Sequence, residues 1–206
     1  MKRILCAVLL CAPFAALAGV DEDVRALQNE WAQIKYARPA GEQEKAFAEL
    51  TKNADAVRAR YPGRAEPQIW YGIIAGSYAG ARGGLGALGL AKDAKKAFEQ
   101  ALEIDPKALD GSAYTSLGSL YYQVPGWPIG FGDDAKARAL LEKALALNPD
   151  GIDSNYFYGD FLYRKGDRDG ARRALARALK APPRPERALA DEGRRKEIES
   201  LLAAMR

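Results

Sequence analysis

Asp153 and Asp160 stand seven residues apart in the stretch "IDSNYFYGDFLYR", so two helical turns place both carboxylates on one face. Such a pair is what general acid and base catalysis needs, provided one carboxyl is held neutral and the other ionised. No nucleophile stands beside them. Arg164, four residues after Asp160, accounts for that carboxylate more simply as an i,i+4 ion pair. The chain contains no histidine, which removes Ser-His, Cys-His, haem-attachment and histidine-zinc arrangements together. No catalytic residue, no metal ligand and no cofactor is expected, and the chain reads as a protein that is not an enzyme.

A second candidate for chemistry is Gly84-Leu85-Gly86-Ala87-Leu88-Gly89, which spells GxGxxG. Those glycines cradle a pyrophosphate only where a strand turns into a helix. Here they follow "IWYGIIAGSYAGAR", a helical pattern, and nowhere does the chain alternate strand with helix. The stretch is expected to be an insertion, and its glycines to permit a compact excursion.

The ends bound the rest. Lys2 and Arg3, an apolar run from Ile4 to Ala12, and Ala16-Leu17-Ala18 have the three regions of a secretory signal peptide, so cleavage is expected after Ala18. The run is too short to span a bilayer, which takes about 20 residues. A lipoprotein attached through Cys11 would require a small residue before it, and Leu10 stands there. Both cysteines, Cys6 and Cys11, leave with the signal, so the mature chain is expected to fold without a disulfide. Export points to the periplasm. Loss of Lys2 and Arg3 lowers the formal charge from +4 to about +2, which argues against a nucleic-acid partner. The basic clusters at Arg172, Arg173 and Arg177 and at Arg194, Arg195 and Lys196 are read as solvated helix faces.

The elements that position these residues emerge from an internal repeat. Pro106, Pro149 and Pro183 are each preceded by alanine at five residues (Ala101, Ala144, Ala178), a large apolar residue at eight (Phe98, Leu141, Leu175) and alanine at twelve (Ala94, Ala137, Ala171). Upstream, Gly72, Gly118 and Gly159 follow Tyr71, Leu117 and Tyr158. Twelve residues separate Gly159 from Ala171, and Pro149 to Pro183 is a 34-residue period. This pattern resembles the tetratricopeptide repeat, with W-x2-L-G-x2-Y in its first helix and A-x3-F in its second. The resemblance implies an all-α solenoid of helical hairpins, about four pairs, in which small residues let paired helices approach and large ones fill the space between pairs. The expected layout is a signal peptide over 1–18, a divergent helix pair over 19–63, three repeats over 64–185, and a final helix over 186–206 capping the end of the stack.

Two repeats depart from the period. Gly72 to Ala94 spans 22 residues and Gly118 to Ala137 spans 19, so insertions are expected at 79–91 and 124–132, side by side on one edge. The second, "QVPGWPIGFGDD", carries Trp127, Ile129 and Phe131. These either pack onto the neighbouring insertion, fill a local hollow, or meet a ligand.

The resemblance also implies where a partner would sit, because the family's concave surface is lined by first helices. Carried over by position, the candidates are Thr115, Ser119, Tyr122 and Gln123 in the third pair, and Asp153, Tyr156, Asp160, Tyr163 and Arg164 in the fourth, joined by Trp127 and Phe131 from the loop. Ile69, Ile73, Gly76 and Ser77 are their equivalents in the second pair. The implied function is an exported, non-catalytic scaffold that binds a protein or peptide partner in its concave groove, with no nucleic acid and no stable membrane insertion. The alternative is a periplasmic small-molecule or lipid carrier with the two insertions as a lid, in keeping with a fainter resemblance to transporter-associated helical-repeat proteins.

Overall fold

Ala94, Ala101, Ala137, Ala144, Ala171 and Ala178 are all fully buried, so wherever the repeat places alanine a helix crosses close by. The computed structural model describes the backbone of residues 13–84 and 86–205 and the side chains of residues 19–84 and 86–205. The expected signal peptide lies largely outside the described residues.

Among the described residues the chain is all helical: α1 Pro13–Ala37, α2 Ala40–Arg60, α3 Ala65–Arg82, α4 Gly86–Ile104, α5 Ala108–Gln123, α6 Asp134–Leu147, α7 Ile152–Arg164, α8 Arg168–Leu179, a 3-10 turn Pro185–Arg187, and α9 Ala188–Ala203. Consecutive helices pair as hairpins, and the first helices α1, α3, α5 and α7 also touch one another in turn, forming the inner face of the stack. The same small-on-large contact closes three hairpins. A Cβ on Gly72 would fall 2.5 Å from the Phe98 ring, and one on Gly118 or Gly159 would fall 2.8 Å from Leu141 or Leu175. Only glycine at that position lets the two axes come so near.

Local signals end and start the helices. Gly166, at φ +85°, stops α7, and the Asp167 carboxylate accepts a hydrogen bond from the Gly170 amide to cap α8. Asp133 caps α6 in the same way through the Lys136 amide.

The expected insertion at 79–91 is not an excursion. α3 runs on to Arg82 and α4 starts at Gly86, so these helices have 18 and 19 residues where α7 and α8 have 13 and 12. The extra residues lengthen the hairpin. Only its tip is irregular, where Gly83 and Gly84 take φ +64° and +60°. The insertion at 124–132 is a true loop: its ends are joined by the Gly132 amide donating to the Pro125 carbonyl, and Phe131 stacks edge-on against Tyr121 at 5.7 Å.

The final helix does more than cap the last pair. α9 packs on α7 and α8 and also on α1, so it crosses the concave side and joins the last repeat to the first helix. Its Gly193 lies against the Tyr36 ring, where no Cβ would fit, and Tyr36 donates to Glu197.

Candidate functional site

The crossing of α9 turns the open groove of a helical-repeat stack into a chamber of about 610 Å³. First helices supply most of its wall: Trp31 and Lys35 from α1, Trp70, Ile73 and Ser77 from α3, Ser112, Thr115, Ser116 and Ser119 from α5, and Asp153, Tyr156, Phe157 and Asp160 from α7. The 3-10 turn and α9 add Arg187, Arg194 and Glu197.

Asp153 is the pivot of this closure. Arg194 Nε donates to one of its oxygens and Arg184 Nη1 to the other, both at 2.9 Å. Arg184 is itself held by Asp191, and Arg194 by Glu197. Burial alone would raise the Asp153 pKa, but the guanidiniums of Arg194, Arg184 and Arg187 outweigh it and hold the carboxyl well below the ordinary aspartate range. Arg194 is only 7% exposed and lies 4.2 Å from the centroid of Tyr156, sandwiched between anion and aromatic faces. The reading of Arg194 to Lys196 as a solvated face is therefore corrected. Arg194 is buried, Arg195 donates to the Leu179 and Ala181 carbonyls at the end of α8, and Lys196 alone of the three is exposed.

Asp160 is fixed in a separate cluster. Tyr122 donates to it at 2.7 Å, and Arg164 pairs with it at 3.0 Å, the i,i+4 contact expected from the spacing. Burial and the neighbouring carboxylate push the Tyr122 hydroxyl well above its usual value, so it stays a donor. The two aspartates share a helix face, yet both are committed to fixed cations, and Asp153 is shifted in the direction opposite to that of a general acid.

Of the candidates named from sequence, the structure brings Thr115, Ser119, Gln123, Asp153, Tyr156, Asp160 and Arg164 to the chamber, together with Ile73, Gly76 and Ser77. Four others and Ile69 are absent from its wall. Tyr122 stands behind Asp160 and packs on Phe161, Tyr163 is half-buried against the core, and Ile69 is fully buried. Phe131 packs on Tyr121 beside Lys95. Trp127 is 90% exposed and Ile129 65% exposed, facing solvent. A lid built from the two insertions is thereby overturned: one is helix, the other is pinned to α5, and the chamber is closed by the 3-10 turn and α9.

Arg184, Arg187, Trp31, Trp70 and Glu197 were not anticipated. A signal for the C-terminal part existed in "PERALADEGRRKEIES": Arg187, Asp191 and Arg194 follow helical spacing on the same stripe as Ala190 and Ile198. Charges mixed into an apolar stripe mark a face buried against other charges.

Comparison with known proteins bears on the repeats themselves. A tetratricopeptide repeat model matches residues 129–203 and a second matches residues 85–108. Over these residues the chain carries tetratricopeptide repeats. The crystal structure of TTC0263, a thermophilic TPR protein of Thermus thermophilus, is similar in fold, with a TM-score of 0.58 at 17% identity over 93% of this chain and 92% of that one. Weaker likenesses are to MamA, with a TM-score of 0.46 at 19% identity over 80% and 89% of the two chains, and to Pseudomonas aeruginosa pilF, with 0.37 at 15% over 91% and 90%. No curated protein matches the chain. Repeats of this family generally mediate contacts between proteins, and the fold here has the inner face of first helices on which the candidates were placed.

Proposed function

We propose that the chain is a non-catalytic scaffold, exported across the inner membrane and resident in the periplasm, that holds a protein partner. Export is supported by the sequence of the first 18 residues alone. Among the described residues no helix is long and apolar enough to cross a membrane.

The observation that carries the partner reading is the exposure of Trp127 and Ile129, 90% and 65%, on a loop fixed at its base. Large apolar side chains held in water on an anchored loop act as an anchor for a complementary pocket, and tryptophan is prominent among residues that dominate interface energies. The loop leaves α5 directly after Gln123, which lines the chamber, so loop and groove rim form one continuous surface. The deeper groove is taken by α9, and a partner therefore docks on this rim.

A photoreactive residue at position 127 in cells should capture one partner well above a control at Arg173 on exposed α8. With that partner in hand, Trp127→Ala should weaken binding about 30-fold, a loss of about 2 kcal/mol. Equal capture at both positions would sink the proposal.

A further inference from the structure

Among the described residues, every charged side chain on the chamber wall except Arg187 makes a direct salt bridge. Lys35 meets Glu197 at 3.7 Å, Arg164 meets Asp160 at 3.0 Å, and Arg194 meets Asp153 at 2.9 Å. Four cations thus face three carboxylates, and the surplus positive charge belongs to Arg187.

Its guanidinium lies 5.0 Å from the centroid of the Trp70 ring, and its Nε is buried with no acceptor. Burial lowers its pKa, and the carboxylates of Asp153 and Asp191 only partly oppose the shift. Trp70, 2% exposed, presents a second buried donor without an acceptor, its Nε1–H. Arg187 and Trp70 both line the chamber, and each has an enclosed donor without a partner, one of them charged. Buried donors in folded proteins are nearly always satisfied, and a cation without a bridging carboxylate at a cavity wall favours an anion beside it.

We propose that the chamber binds a small organic carboxylate, its head held by Arg187 beside Trp70 and its apolar body against Trp31, Phe47 and Phe157. The volume of about 610 Å³ falls within the range of small-molecule sites. The aromatic walls suit an apolar body, and the single surplus charge suits a monoanion. An extended peptide running along the groove would have to displace α9 together with the pairs that hold it to Asp153, which disfavours a chain as the occupant. This site is separate from the exposed Trp127 loop, so either assignment stands or falls alone.

The test uses the full chain carrying Trp127→Phe, in which Trp31 and Trp70 report from the chamber wall. Hexanoate and 4-phenylbutanoate, with 4-phenylbutanamide as the neutral counterpart, are titrated by fluorescence and calorimetry. The acid should bind about tenfold tighter than the amide, the worth of one charge-assisted hydrogen-bonded pair. Arg187→Gln should abolish that preference while leaving amide binding in place, and Arg187→Lys should restore part of it. That rescue, with unchanged circular dichroism, separates loss of the charge from loss of the fold. Absence of binding by both acids at millimolar concentration, equal affinity for acid and amide, or a preference that survives Arg187→Gln would each overturn the proposal. So would a hexapeptide ending in a free phenylalanine carboxylate that outcompetes 4-phenylbutanoate while its amidated form does not, because the site would then belong to a chain terminus.

Discussion

Gly72 and Gly80 sit on the same helix, α3, and surroundings alone give them opposite roles. A methyl group at Gly72 would meet the Phe98 ring at 2.5 Å, whereas one at Gly80 would meet nothing within 4 Å. Gly72→Ala should therefore force α3 and α4 apart and cost about 1–3 kcal/mol. Gly80→Ala should add about 0.5–1 kcal/mol by relieving the entropy cost of glycine in a helix. Urea denaturation of the two variants checks the signs, and two shifts in the same direction would refute the space argument. The contrast also bears on Asp153 and Asp160. Sequence spacing places residues on a face, but what a residue does there depends on what the neighbouring element brings to within a few ångströms.

At the scale of elements, α9 meets α1 through one close approach. Gly193 sits where any side chain would collide with Tyr36 of α1, and the adjoining contacts of α9 to α1 are Glu197 with Tyr36 and with Lys35. Gly193→Leu should lift α9 from α1 and raise amide hydrogen exchange over 188–203, while α5 to α8 keep their protection. Protection unchanged over α9 would show that α7 and α8 hold it without α1. The hairpins themselves were legible because their determinants are local: Gly159 and Leu175 lie sixteen residues apart and recur as Gly118 with Leu141. The crossing of α9 was not. Its partners Asp153 and Tyr36 are 41 and 161 residues from Arg194 and Glu197, respectively, and charges on a short helix ordinarily mark its solvent face. The stretch at 79–91 failed for another reason. A count of residues between Gly72 and Ala94 measures the length of a hairpin and is silent on whether the surplus is loop or helix. Only Gly83 and Gly84, at the left-handed tip, carried that information.

For the molecule as a whole, the crossing of α9 is held by ion pairs that titrate in acid, whereas the repeats rest on apolar burial, which does not titrate. Asp153 faces Arg194 from α9 and Arg184 and Arg187 from the preceding segment, and these guanidiniums depress its pKa below the unfolded value. A depressed carboxylate favours the folded form at every pH above the unfolded aspartate pKa, about 3.9, and that contribution is lost as pH falls further and Asp153 takes up a proton. The hairpins are joined by Phe98, Leu141, Leu175 and buried alanines, none of which titrates. Acid should therefore open the chamber before it melts the stack. In a Trp127→Phe chain, iodide quenching of Trp31 and Trp70 should rise below about pH 4 while helical circular dichroism persists to lower pH. Asp153→Asn should show the raised quenching already at neutral pH, because the buried Arg194 then keeps as counter-charge only Glu197, which it shares with Lys35, at a cost of about 2–3 kcal/mol in stability. A single coincident transition in both signals, unmoved by Asp153→Asn, would mean that α9 and the repeats form one cooperative unit and that the chamber does not open on its own.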